Sequence, residues 1–520
     1  MGCAEDTFLP EEVTMTHAPP SQTRPSWPQA ADLLETPALT QNLRTDVCVV
    51  GAGLAGLTTA YLLTREGRSV VVLDKGPVGG GNTGRTTAQL SNALDDRYSE
   101  LIRIHGVQKA RLAAHSHTAA VDMIEAIARE ENIDCDFERV SGYLFTTDSQ
   151  NILDEELEAA HQVGLSRVER VAKAPLSGFD TLPCLHFPEQ GQFDPLKYLN
   201  GLARAILERG GQLYTGTPVA EVEDGQPALV RTRSGFTVTA DAVVVATNSP
   251  INDRVALHTK QAPYLSYVVA AEIPPGGVVK ALYWDTEDPY HYVRVQTLEG
   301  GDAELLLVGG EDHKTGQADD AEARYGRLEA WARERFPSMG RIAYRWSGQV
   351  YESLDGLAYL GRNPGDEAVY VATGDSGMGM THSTVAGMLI RDLILGRENA
   401  WADLYEPSRK PLKASGEFVK ENLNVVAQFT ELLTPGSGQA AEVAPGSGAV
   451  VGFGPSKHAV YRDDSGALHT HSAICPHLGC GVAWNSGEKT WDCPCHGSRF
   501  DAYGRVLNGP AKSDLKAVEG

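Results

Sequence analysis

No run of apolar residues in the chain reaches the ~18 that a membrane span requires. The first residues carry neither the basic stretch nor the apolar core of a secretory leader. Basic residues are in deficit: 45 Lys and Arg face 68 Asp and Glu, a formal net charge of −23. That deficit argues against a nucleic-acid partner, because such binding rests on cations set against phosphates. Cysteine is scarce at eight in 520 residues, too few for a disulfide scaffold. No internal repeat and no heptad or collagen-like period is present. The expectation is a soluble, cytoplasmic, globular protein with no membrane span. Its 54 Gly and 28 Pro mark many tight turns, and its length predicts roughly three to four folding units.

Residues 1–44 read as a poorly ordered lead-in with no assigned function, with Pro19, Pro20, Pro25 and Pro28 close together and no apolar period. At Thr45 a short apolar strand begins, followed by an Ala/Leu-rich helix to Arg65 and a second strand over 69–74. Residues 240–248 and 368–374 read as further buried strands ending in small-residue turns. Between them, 264–273, 290–296 and 303–309 have the mixed faces of a separate sheet. A second domain is therefore expected inside the first. A polar helical linker follows at 401–434, then the glycine-rich TPGSG and APGSG, and then short strand-like runs at 457–462 and 467–472.

Gly51, Gly53 and Gly56 form GAGLAG directly after a strand and before a helix, and Asp74 closes the next strand. Gly51 suits the tight turn, Gly53 the approach of a pyrophosphate to backbone, and Gly56 the packing of helix on sheet. Asp74 is placed to accept hydrogen bonds from a ribose. This is a dinucleotide site, and the motif alone leaves FAD and NAD open.

Half of the cysteines lie in the last fifty residues. Cys475, His477, Cys493 and His496 form C-x-H and C-x-x-H, a ligand set that fits either tetrahedral zinc or a mixed-ligand [2Fe–2S] cluster. The remaining cysteines, Cys3, Cys48, Cys135 and Cys184, are far apart and read as structural. His115 and His117 read as a solvated helix face, and no second set of two His and a carboxylate is evident.

Two resemblances sharpen these readings. Over roughly 45–400, GAGLAG, GGGNTGRTTAQ at 79–89, TPVAEV at 217–222, ATN at 246–248 and ATGDSGMGMT at 372–381 resemble the FAD-dependent oxidoreductases of the D-amino-acid oxidase and glycine oxidase type. The resemblance implies FAD, held by Gly51, Ala52, Gly53, Gly56, Asp74, Lys75, Arg85, Thr86, Thr87, Val219, Thr247, Gly374, Asp375, Gly377, Gly379, Met380 and Thr381. Over about 435–520, CPHLGC and CPCHGS resemble the two loops of Rieske proteins. That implies Cys475 and Cys493 on one iron, His477 and His496 on the other, a disulfide between Cys480 and Cys495, and a potential of about −150 to +300 mV. Ser498 matches a serine that hydrogen-bonds a bridging sulfide. Phe500 stands where bc-type members carry tyrosine, so one hydrogen bond to a ligand sulfur is missing and a lower potential is expected.

The implied fold is an α/β FAD-binding Rossmann-like domain (about 45–95, 180–250 and 345–400), an inserted α+β substrate domain (about 135–180 and 251–344) and a small all-β Rieske domain (435–520). The implied chemistry is oxidation of a small amine or amino acid, C–N to imine, by hydride transfer to flavin. Electrons would then pass one at a time through the cluster to an external acceptor. Reverse flow from a one-electron donor, and an electron-transfer or redox-sensing protein without turnover, are the alternatives. Candidate substrate residues lie on the inserted sheet: Arg294 for a carboxylate, and His291 or His313 as a base. Tyr290, Tyr292, Glu311, Asp312 and Lys314 neighbour them, Tyr264 and Tyr267 are weaker candidates, and His382 is placed to touch flavin.

Overall fold

A computed structural model describes residues 23–27, 34–147, 149–252, 257–298, 300–410, 424, 428, 434, 436 and 439–518. The first sheet is built on the strand Leu43–Val50, whose last four residues are buried on both faces, as a central parallel strand requires. It pairs in parallel with Val70–Leu73 on one side and Thr237–Val245 on the other, and Gln212–Tyr214 and Val369–Thr373 extend the sheet outward. Tyr359–Arg362 closes one edge in the antiparallel sense. The helix Leu54–Arg65 follows the glycine turn at the point where strand order reverses, the usual ligand position in a doubly wound sheet. The helix Pro195–Glu208 packs beside it and starts cleanly. Asp194 accepts from the backbone N–H groups of Leu196 and Lys197 at 2.9 and 3.0 Å, and Pro195 occupies the first turn.

The second sheet runs in the order Ile342–Ser353, Gln261–Ile273, Glu304–Lys314, His291–Thr297, Leu282–Asp285, Glu138–Phe145, Cys184–Gln192, Gln89–Leu90. The helix Ala321–Arg335 covers one face through Tyr325, Leu328 and Ala332. Cys184–Gln192 and Ile342–Ser353 belong to this sheet, which corrects the ranges 180–250 and 345–400: both begin with strands of the other layer. Trp27, within the segment read as a lead-in, is buried, and its indole N–H donates to the Thr86 carbonyl at 2.9 Å. Of the linker expected at 401–434, Ala402–Tyr405 is one helical turn, and most of 411–433 lies outside the described residues. Cys3 lies outside them too.

Two small antiparallel sheets form the C-terminal unit: Ser447–Val451, His458–Arg462 and Leu468–Ser472, then Ala483–Asn485, Thr490–Asp492, Arg499–Asp501 and Val506–Asn508. This unit is docked on the rest. Glu488 reaches out of a turn into the first two units, pairs with Arg85, and accepts from the Ser347 N–H at 3.1 Å and hydroxyl at 2.8 Å. Arg85 in turn donates to the Ser347 carbonyl at 2.5 Å. The contact is tight at Gly497, where a Cβ would lie 2.6 Å from Pro263 and 2.8 Å from the Tyr351 hydroxyl.

Burial raises the Glu488 carboxyl, but Arg85, Arg499 and Ser347 outweigh it and hold the group below the usual range. Its stabilisation is therefore full above the ordinary glutamate pKa of about 4.3 and is lost as pH falls through the lower folded value. Glu488→Ala is expected to cost about 2–5 kcal/mol, read as a loss of urea stability that shrinks toward pH 3. An unchanged urea midpoint at pH 7 would contradict this account.

Candidate functional site

A cavity of about 1100 Å³ opens at the C-terminal edge of the first sheet. It exceeds the ~300–1,000 Å³ of an ordinary single-ligand pocket. Its wall includes Gly51, Gly53, Asp74, Lys75, Arg85, Thr86, Thr87, Val219, Thr247, Asp375, Gly377, Gly379 and Met380. The other four residues expected at the nucleotide stand behind that wall. Ala52 donates its N–H to Asp74 at 2.6 Å. Gly56 has no room for a Cβ, which would lie 1.9 Å from the Gly51 carbonyl. Gly374 sits at φ +70 against Gln261 and Tyr359. Thr381 is buried and bonded to His117 Nδ1 at 2.7 Å.

The residues fit a dinucleotide. Gly51, at φ +113, would drive a Cβ to 2.3 Å from the Ala246 carbonyl, so it serves the turn. A Cβ on Gly53 meets only the Thr83 hydroxyl, at 3.1 Å, so the space in front of it is left for a ligand at the helix N-terminus. Asp74 accepts from the Ala52 and Gly76 N–H groups and keeps lone pairs for a ribose, while burial raises its pKa.

A second group of wall residues is acidic: Asp95, Asp96, Glu352 and Asp375. Asp312 stands next to them, accepting from the Tyr290 hydroxyl at 3.4 Å. Enclosure by the protein, and then Asp96, Asp312 and Asp375, raise Asp95 to about 7. Burial takes Asp312 and Asp375 to about 6 each, and Glu352 goes well above the carboxylate range. Tyr290, Tyr292, Trp284 and Ser266 complete this part of the wall. His382 also lines the cavity, its Nδ1 held at 2.8 Å by the Asp375 carbonyl.

The expected catalytic trio is not there. Arg294 shares a strand face with Tyr292, yet it does not line the cavity, and its Nη1 donates to the carbonyls of Thr87 and Ala88 at 2.9 Å and Phe193 at 3.2 Å. It pins the loop carrying Thr86 and Thr87 instead of binding a carboxylate. His291 points to the opposite face, stacked on Trp331 at 4.3 Å and bonded to Asp285 at 3.0 Å. His313 is buried against Tyr267, 5.7 Å between ring centroids. Tyr264, Tyr267, Glu311 and Lys314 are also absent from the cavity wall, and Glu311 pairs with Arg327. The solvated face expected for His115 and His117 is corrected as well. Positions two apart on a helix point to different sides; His117 is buried against His382, while His115 is exposed beside Trp401.

The residues expected to hold the cluster meet in two pairs. The Cys475 and Cys493 side chains are buried and hydrogen-bond each other, and the His477 and His496 rings lie 5.0 Å apart. Burial, then His477 and His258, hold His496 near 3, so its imidazole is neutral and free to ligate. The Cys475 thiol is lowered, first by its bond from Cys493 and further by the N–H groups of His477 and Leu478. Cys480 and Cys495 form a disulfide with Cα atoms 6.4 Å apart. Ser498 contacts Cys475 and accepts from the Ala511 N–H at 3.0 Å, and Phe500 is fully buried. Both histidine rings face His258, at 5.1 and 5.9 Å. Gln349 bridges the two sites: it lines the cavity and donates to the Gly497 carbonyl at 2.8 Å.

Comparison with known proteins follows the same division. The FAD dependent oxidoreductase family model matches residues 46–393, and the Rieske [2Fe-2S] domain model matches 437–519. The Bacillus subtilis protein YhfW, described by name as a Rieske 2Fe-2S iron-sulfur protein, is 32% identical over 95% of this chain and 97% of its own. Gamma-glutamylputrescine oxidoreductase of Escherichia coli is 29% identical over 70% of this chain and 88% of its own. The crystal structure of glycine oxidase from Geobacillus kaustophilus superposes with a TM-score of 0.59 at 20% identity, covering 71% of this chain and all of that one. Among the described residues no helix is long and apolar enough to cross a membrane.

Gly53→Leu fills the space left before the helix. The expected product keeps its circular dichroism and its cluster signal but lacks flavin absorption. Retention of flavin at wild-type stoichiometry would show that the nucleotide lies elsewhere.

Proposed function

The chain belongs to the FAD dependent oxidoreductase family and carries a Rieske [2Fe-2S] domain over residues 437–519, and from that premise we propose that it oxidises a small amine at its C–N bond, passing the electrons singly through the cluster to an external acceptor. When bound, FAD supplies a hydride acceptor and the cluster a one-electron carrier. The observation that carries the substrate reading is the group of carboxylates at Asp95, Asp96, Glu352 and Asp375 on the wall of the FAD cavity. Asp95 and Asp96 are exposed on this wall and Glu352 and Asp375 half-buried; clustered carboxylates repel one another and are relieved by a cation. An ammonium group provides that cation. Arg294, expected to bind an amino-acid carboxylate, is absent from the cavity wall and its Nη1 is committed to backbone carbonyls, while the wall's own guanidinium beside these acids is Arg97. The Escherichia coli relative, named for gamma-glutamylputrescine, points the same way.

The chain's own residues divide the work. Tyr290, Tyr292 and Trp284 offer aromatic faces to an alkylammonium. The Asp95 carboxylate, titrating at about 7, is suited to take the ammonium proton before the C–H bond is broken. Gln349 and Tyr351 keep the cluster loops against the flavin half: Tyr351 donates to the His496 carbonyl at 3.2 Å and Gln349 to that of Gly497. Delivery to an outside acceptor is supported by the presence of a one-electron centre beside a two-electron one.

Anaerobic mixing with a panel of amines and amino acids, followed by flavin bleaching, tests the reading. Amines are expected to bleach and α-amino acids to do so at least tenfold more weakly. Silence across the panel would instead support an electron-transfer or sensing role without turnover. Because Asp95 and Asp375 lose charge as pH falls, kcat/KM for an amine is expected to drop below about pH 7. In Asp95→Asn that acidic limb should move or vanish, with kcat/KM reduced at least tenfold at pH 8. His477→Ala is expected to leave bleaching intact and stop reduction of a one-electron acceptor such as ferricyanide. Undiminished ferricyanide reduction would remove the cluster from the path.

A further inference from the structure

The wall of the FAD cavity is not made by the flavin half alone. Arg505, Val506, Leu507, Asn508, Lys512 and Asp514, all from the Rieske domain, line the same cavity as Asp74 and Val219. This segment is fastened at several points. The Leu507 carbonyl accepts from the Lys75 ammonium, one residue after the ribose-facing Asp74. The Lys512 carbonyl accepts from Arg233, whose guanidinium also lies 3.5 Å from Asp514. Asn508 donates to the Gln349 amide oxygen at 3.0 Å, and a Cβ placed on Gly509 would lie 3.5 Å from the Ser249 carbonyl and the Ile251 side chain. Within its own domain the segment is tied to the second cluster loop by the Ala511 N–H on Ser498.

We propose that residues 505–514 of the Rieske domain are part of the FAD-binding site and close it over the part of the cavity where Asp74, Lys75 and Val219 stand. The dinucleotide is then held between two domains, and its release requires the segment to lift. Binding and docking are linked reciprocally: whatever holds the segment down slows FAD loss, and FAD in turn holds the segment down. The inference concerns retention of the cofactor and stands whether or not an amine is the substrate.

Two measurements decide it. Hydrogen exchange of the full chain, loaded with FAD and after flavin removal, is expected to show the backbone N–H groups of 505–514 exchanging at least tenfold more slowly in the loaded form. The strands His458–Arg462 and Leu468–Ser472, remote from the cavity wall, should exchange alike in both. Equal exchange of 505–514 in the two forms would overturn the proposal. In the second, Arg233→Glu sets two carboxylates against each other at Asp514 and removes the bond to Lys512. FAD release, read as recovered flavin fluorescence after dilution, is expected to quicken at least fivefold while the cluster's EPR signal is unchanged. Release at the wild-type rate would count against closure by this segment. Should Arg233→Glu yield no soluble protein, the exchange experiment on the unaltered chain carries the decision.

Discussion

A buried carboxylate from one domain, Glu488, is the constraint on which the arrangement of both redox sites depends. It leaves the turn before the strand Thr490–Asp492 and reaches Arg85 and Ser347 of the other units, with Arg499 of its own unit nearby. An ionised group taken out of water needs such partners or its desolvation is not offset. Arg85 belongs to the loop expected beside the flavin, and Ser347 lies on the strand that also carries Gln349 and Tyr351. One ion pair therefore sets the register between the FAD cavity and the cluster loops. The glycines at the interface follow from it: Gly497 and Gly316 stand where a Cβ would collide with the opposite domain.

Charge organises the cavity as well. Near the glycine turn the wall offers backbone and helix-terminal N–H groups with Lys75, suited to phosphates. In the other group it offers carboxylates, suited to a cation. Net charge, read from composition, gives no hint of this division, because it sums over a surface that the ligand never meets. The acidic group is costly to the empty protein, since like charges brought together shift one another's titration. That expense at a cavity wall marks function more clearly than any lone side chain there.

The parts legible in the sequence are those encoded locally. Gly51, Gly53, Gly56 and Asp74 announce themselves because a turn, a helix start and a strand end need them within one strand–helix–strand unit. Cys475, His477, Cys493 and His496 do so because two short loops supply a whole ligand set. Arg294 misled because strand alternation tells which face a side chain takes, not how far it runs before meeting Thr87 and Ala88. His291 and His313 misled for the complementary reason: their face is covered by the helix Ala321–Arg335. Asp95, Glu352 and Asp375 come from three separate stretches, so their meeting is a property of the topology. Glu488 carries no local mark either, and the GRVLNGPA run at 504–511 is legible only as a part of the Rieske resemblance, not as a wall of the FAD cavity.

The packing of His477 and His496 against His258 bears on the proposed exchange of electrons with an outside acceptor. His496 is buried and His477 half-buried, and among the described residues of the first cluster loop the exposed side chains are Pro476 and Leu478, the latter 39% exposed. Those are small apolar contacts without charge. Under the proposed function, an acceptor docking there would be selected by shape and by how closely it can lie over two residues, with the chain's net charge of −23 as a distant filter.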